Sequence, residues 1–121
     1  MDVSPWNGVE TMSKRAGDGP LVMLNLLKFK PGGEEHYLQG YASVALPMIQ
    51  RLGGRVLYAG RLAERAHDDD APEWDVCLLV EYPNRQAFID MVNDPAYRAA
   101  HVHRSESVER ALLRATDPQQ A

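Results

Sequence analysis

Four strand-like and several helix-like apolar patterns, in the order β-α-β-β-α-β after a short leader, predict an α+β domain. Its two most apolar strand patterns, residues 21–30 and 73–82, are the first and third, which this order makes central in the sheet. Period-3.6 patterns over residues 34–52 and 84–108 supply helices for one face. These observations predict a ferredoxin-like βαββαβ sandwich, with a four-stranded antiparallel sheet and helices on one side.

The leader, residues 1–19, reads as an appendage. Ser4-Pro5 suits a helix start, and Val9, Met12 and Ala16 share one face, which predicts a short helix. Gly17-Asp18-Gly19-Pro20 then breaks the chain. The first strand, 21–30, has one face with Leu21, Met23, Asn25, Leu27 and Phe29, and another with Val22, Leu24, Leu26 and Lys28. Both are mostly apolar, so both need cover. Pro31-Gly32-Gly33 ends the strand.

Residues 34–52 place Tyr37, Tyr41, Val44, Met48 and Leu52 on one helical face. Glu34 and Glu35 suit its N-terminus. Pro47 is expected to kink or divide the helix, since it lacks an N–H. Gly53-Gly54 stops it through a left-handed cap. Residues 55–63 form the second strand, where Gly60 predicts a bulge or a close backbone approach. Residues 64–72 read as a polar hairpin loop.

The third strand, 73–82, has the apolar face Trp74, Val76, Leu78, Val80 and Tyr82. Cys77 lies on the other face and reads as a buried strand thiol. Asn84 caps a helix whose inner face is Ala87, Phe88, Met91 and Val92. Asp94 and Pro95 start another, running to about residue 108. The last strand falls near residues 110–115. The expected division is a leader at 1–19, a domain at 20–116 and a tail at 117–121.

The chain has 121 residues, 45% of them hydrophobic and 25% charged. That is enough for one domain with its own core. The net charge of −4 comes from 13 basic and 17 acidic residues. Their dispersal argues against nucleic acid, which needs clustered cations. A single cysteine, Cys77, permits no intrachain disulfide and fits a cytoplasmic setting. The N-terminus lacks the apolar core of a signal peptide, and the longest apolar run is too short for a membrane span. With helices on one face only, the other sheet face would expose Leu and Val side chains worth roughly 1.5–3 kcal/mol each on burial. A homodimer packed sheet to sheet is therefore expected.

The sequence resembles the domain of unknown function 1330 family of the dimeric α/β-barrel superfamily. The likeness rests on Asn25-Leu26-Leu27-Lys28-Phe29, Tyr41, Pro47, Gly53-Gly54-Arg55, Gly60, Tyr82-Pro83, Asp94-Pro95 with Tyr97, and Arg104. It spans about residues 20–116. It implies a dimeric barrel with a pocket between sheet and helices, and no settled activity.

The best polar constellation is on the last helix, where Tyr97, His101 and Arg104 recur at spacings of 4 and 3. If that face meets the sheet, Arg104 needs an anion: Glu81, Asp75 or a bound acid. It is read either as a ligand contact or as an internal ion-pair partner. His101 is a candidate general base or a half-exposed helix histidine. Asn25 either bridges groups in the core or holds a ligand oxygen. Tyr41 is a core aromatic or a pocket hydroxyl. Asn25, Tyr41, Tyr97, His101 and Arg104 are the expected ligand contacts. His36 is expected to be exposed, and His101 and His103 point to different sides of a helix. His67 with residues 68–70 reads as a solvated loop tip or, alternatively, an oxygen-rich metal site. No metal or cofactor motif is present. The leading reading is a small-molecule-binding domain for a carboxylate- or carbonyl-bearing ligand, with a cofactor-free enzyme as its extension. The alternative is a non-catalytic structural or regulatory homodimer.

Overall fold

The computed structural model describes residues 5–67 and 70–119. A 3₁₀ turn, Pro5–Gly8, leads into α1, Val9–Ser13. Then come β1 (Leu21–Phe29), α2 (residues 33–51), β2 (Arg55–Arg61), β3 (Val76–Tyr82), α3 (Arg85–Asn93), α4 (Pro95–Ser107) and β4 (Val108–Thr116). The strands form one antiparallel sheet in the order β2-β3-β1-β4, so the two most apolar strands are indeed central. This is the ferredoxin-like sandwich that the sequence predicts. Among the described residues, no helix is long and apolar enough to cross a membrane.

Strand alternation sorts the sheet into two faces. Leu21, Met23 and Leu27 of β1 are buried in the core beneath the helices. Ala45, Met48 and Ile49 of α2, Phe88, Met91 and Val92 of α3, and Tyr97 of α4 complete that core. The even-numbered face of β1 points the other way. There Leu24 pairs with Leu79 and Arg114, and Leu26 with Cys77 and Leu112. None of the described residues covers this side, and its residues are partly buried or exposed. Cys77 is therefore a half-buried thiol on the open face, not a core thiol.

Both predicted caps form. Asn84 Oδ1 accepts from the Ala87 N–H at 2.9 Å, and Asp94 Oδ1 from the Ala96 N–H at 2.8 Å. Gly53, at φ +85°, ends α2 in the left-handed region that favours glycine. The expectation for Pro47 needs correction, and of the two for Gly60 only the close approach is met. Pro47 sits inside a regular segment, Ser43–Arg51, while the departure from α geometry is a π-helical turn at Tyr37–Ala42, one turn earlier. Proline there removes only the bond to the Ser43 carbonyl, at the seam between the two segments, so the helix is not divided. The bulge in β2 lies at Val56/Tyr58, not Gly60. Gly60 instead gives room to the Tyr58 ring, with which a Cβ would collide.

The leader packs onto the domain. Trp6 Nε1 donates to the Val92 carbonyl at 2.9 Å, and Val9 and Met12 rest against the core. Arg85, buried in α3, donates to Asp117 at 2.9 Å, and Arg15 of the leader reaches the same carboxylate at 3.0 Å. Leader, α3 and the end of β4 are thereby tied together. Residues 68 and 69 of the polar loop, on which the alternative metal reading rested, lie outside the described residues.

A candidate ligand cavity between sheet and helices

The odd-numbered face of β1 points to the helices, and that decides where Asn25 goes. It lies between Leu78 of β3 and Leu113 of β4 in the register. All three line a cavity of about 370 Å³ between the sheet and α2, α3 and α4. The apolar wall includes Ile49, Val80, Phe88 and Met91, and Leu38, Leu46 and Val56 lie at its exposed side.

The polar end is built from two helices. Tyr37 and Tyr41 lie in the π-helical turn of α2, their rings 5.0 Å apart. Tyr97 and Arg104 come from α4, and both are 2% exposed. The Tyr41 and Tyr97 hydroxyls are hydrogen-bonded at 2.9 Å. The Arg104 guanidinium carbon lies 5.9 Å from the centre of the Tyr41 ring, within cation–π range. Burial pushes the phenols up: Tyr97 to about 12, and Tyr37, Tyr41 and Tyr82 well above the usual tyrosine range. The positive charge of Arg104 opposes this for Tyr37, Tyr41 and Tyr97, but does not outweigh it. These hydroxyls are therefore proton donors throughout the physiological range.

Four of the five sequence-derived candidates, Asn25, Tyr41, Tyr97 and Arg104, come together here. His101 does not. It is buried, but its ring faces Trp6 at 4.7 Å, and its Nδ1 lies 3.3 Å from the Ser105 hydroxyl. On a helix, Arg104 is only about 20° from Tyr97, whereas His101 is about 40° away in the opposite sense. The cavity lies on the Arg104 side, and the leader fills the other. Neither expected internal partner serves Arg104. Glu81 is on the open face, 3.1 Å from Arg55. Asp75 accepts from the Phe29 N–H at 2.8 Å and from Lys28 at 3.2 Å.

Tyr37 and Tyr82 line the cavity as well, and were not among the candidates. Tyr37 stands four residues before Tyr41 on the apolar face, a spacing that could have identified it. Among the described residues, no Asp, Glu, His or Cys lines the cavity, and no group of three such side chains gathers anywhere to hold a metal ion. The lining can receive a negatively charged or carbonyl oxygen at its Arg104 end and an apolar body elsewhere.

Residues 32–116 match a family described as a domain of unknown function, DUF1330; the match begins after β1. The chain is similar over 99% of its length to a solved protein of unknown function from Rhodopseudomonas palustris, at 30% identity and a TM-score of 0.85, with 97% of that chain covered. It also resembles a DABB-family protein with a ferredoxin-like fold from Mesorhizobium loti (14% identity, TM-score 0.63, 85% and 100% covered). A dimeric protein of unknown function from Bacteroides fragilis, also ferredoxin-like, aligns at 12% identity and a TM-score of 0.56, with 83% and 97% covered. The last two likenesses concern the fold alone. No curated protein matches the chain.

Proposed function

The chain belongs to the DUF1330 family, and from the cavity just described we propose that it binds a small organic anion with an apolar body, such as a hydrophobic monocarboxylate. One observation carries this reading: a buried guanidinium and phenols that burial keeps protonated stand together at one end of an otherwise apolar cavity. A ligand that supplies one anionic or carbonyl oxygen complements that lining. Arg104 gives the forked, charge-assisted contact. Of the hydrogen-bonded pair Tyr41 and Tyr97, one hydroxyl donates to the other and the second donates to the same oxygen or to its neighbour, and Asn25 offers either an N–H or a carbonyl. The apolar wall excludes water from the body of the ligand.

The same donors would stabilise an enolate or other developing oxyanion. Because the described residues of the lining include a cation and phenols as their polar groups, binding is the primary reading and turnover its extension. The functional unit is a homodimer formed through the open sheet face. Leu24, Leu26, Leu79 and Leu112 lie on that face, and a dimeric relative shares the fold. One cysteine and no membrane-length helix among the described residues are compatible with a cytoplasmic setting.

The test compares matched ligands on one carbon skeleton: an aryl or alkyl carboxylate, its amide and its amine. Isothermal titration should give the order carboxylate, amide, amine. Equal affinity for the amine would overturn the reading. No binding by any member would favour a structural or regulatory dimer.

A further inference from the structure

His36 and His103 lie outside the cavity, and neither has a part in the proposal above. His36 is in the first turn of α2, and His103 is on α4. The expected exposure of His36 is only partly met, because its ring stands against that of His103 at 75°, with centres 5.1 Å apart. His36 Nε2 and His103 Nδ1 are 2.9 Å apart. Gly40 makes this approach possible. A Cβ there would lie 2.6 Å from Cγ and 2.9 Å from Nδ1 of His103, so only glycine lets the imidazole lie against α2.

We propose that His36 and His103 chelate a divalent transition-metal ion, copper(II) by preference, in place of their mutual hydrogen bond. Metal–imidazole bonds of about 2.0–2.1 Å meeting at a right angle set the two nitrogens about 2.9 Å apart. That is the separation already present. Tetrahedral zinc would need about 3.3 Å, and so some opening of the helix pair. Square-planar or tetragonal ions fit that separation once each ring turns from its partner, by up to about 45°, so that both lone pairs converge on the ion, and for imidazole donors copper(II) binds more tightly than nickel(II) or zinc(II). With no third His, Cys, Asp or Glu gathered among the described residues, water completes the coordination and the ion exchanges readily. Tyr37 and Arg104, the sequence neighbours of the two histidines, point inwards to the cavity. The clip therefore fixes the two helices that carry the polar end.

The test adds copper(II), nickel(II) or zinc(II) chloride to metal-free, full-length protein. The melting temperature should rise most with copper, then nickel, then zinc. The copper electron paramagnetic resonance spectrum should show two imidazole nitrogens. His36→Ala and His103→Ala should each weaken copper binding by about 100-fold, since chelation makes the second bond intramolecular. Gly40→Ala, which keeps both imidazoles but displaces one, should weaken it too. His67→Ala should have no effect. A wild-type spectrum with fewer than two nitrogens overturns the proposal whether or not a variant folds. So does a folded His36→Ala or His103→Ala protein that binds copper within threefold of wild type.

Discussion

Replacing Arg104 with methionine separates a binding role from a structural one. The side chain is 2% exposed, so its removal touches the interior directly. Methionine is of similar length and spares the cost of holding a charge away from water, while it gives up the cation–π contact with Tyr41. The unliganded variant should therefore melt close to the wild-type temperature. Its ligand response should fall sharply. A charge-assisted hydrogen bond is worth about 1.5–3 kcal/mol, or roughly 10- to 150-fold in affinity. For wild type, a carboxylate at 100 times its Kd adds about 2.7 kcal/mol of stability. In a chain of 121 residues that is a rise of roughly 10 °C. At the same concentration, a variant binding about 30-fold more weakly retains about 0.9 kcal/mol, a rise of only 3 °C or so. Differential scanning fluorimetry with and without a hydrophobic carboxylate measures both effects. A full 10 °C response in Arg104→Met would refute the reasoning. A loss of about 3–5 kcal/mol in the unliganded variant would refute it differently, by making Arg104 half of an internal ion pair.

Leu79→Asp puts a charge on the open sheet face opposite Leu24. Light scattering should then give a monomer mass with the circular dichroism spectrum retained, and an unchanged dimer mass would count against sheet-to-sheet packing. Tyr41→Phe removes one half of the 2.9 Å Tyr41–Tyr97 hydrogen bond. It should cost about 0.5–1.5 kcal/mol in urea unfolding, and weaken carboxylate binding less than Arg104→Met does. Asp75 has its pKa lowered in the fold, first by the Phe29 N–H and then by Lys28. The unfolded chain takes up this proton at a higher pH than the folded one, so the contribution is present above the ordinary aspartate value of about 3.9 and is lost as pH falls through the depressed one. Asp75→Asn should lower stability at neutral pH and flatten its decline in acid, measured by urea midpoints from pH 2 to 7.

The sheet was legible because its signals are local and mutually consistent. The two most apolar strand patterns fell first and third, the positions that this element order makes central, and the Asn84 and Asp94 caps marked where helices begin. The Arg104 environment was less so. Periodicity placed Tyr97, His101 and Arg104 on one broad stripe, and a stripe about 60° wide spans both a cavity and a packed surface. What separates them is Trp6 of the leader, which occupies the His101 side from 95 residues away in sequence. The π-helical turn carrying Tyr37 and Tyr41 has no sequence signature of its own. The His36–His103 approach depends on Gly40 and on the meeting of two helices, which composition and spacing do not encode.

The central claim is that the cavity holds an organic anion by its Arg104 end. The direct measurement is a crystal structure of the protein with a brominated aryl carboxylate, whose anomalous signal locates the ring and whose carboxylate marks the polar end. The account predicts the bromine among Ile49, Val80, Phe88 and Met91, and carboxylate oxygens within hydrogen-bond distance of Arg104 and of Tyr41 or Tyr97. A carboxylate pointing to the exposed Leu38 and Leu46 side, or an empty cavity at saturating ligand, would contradict it.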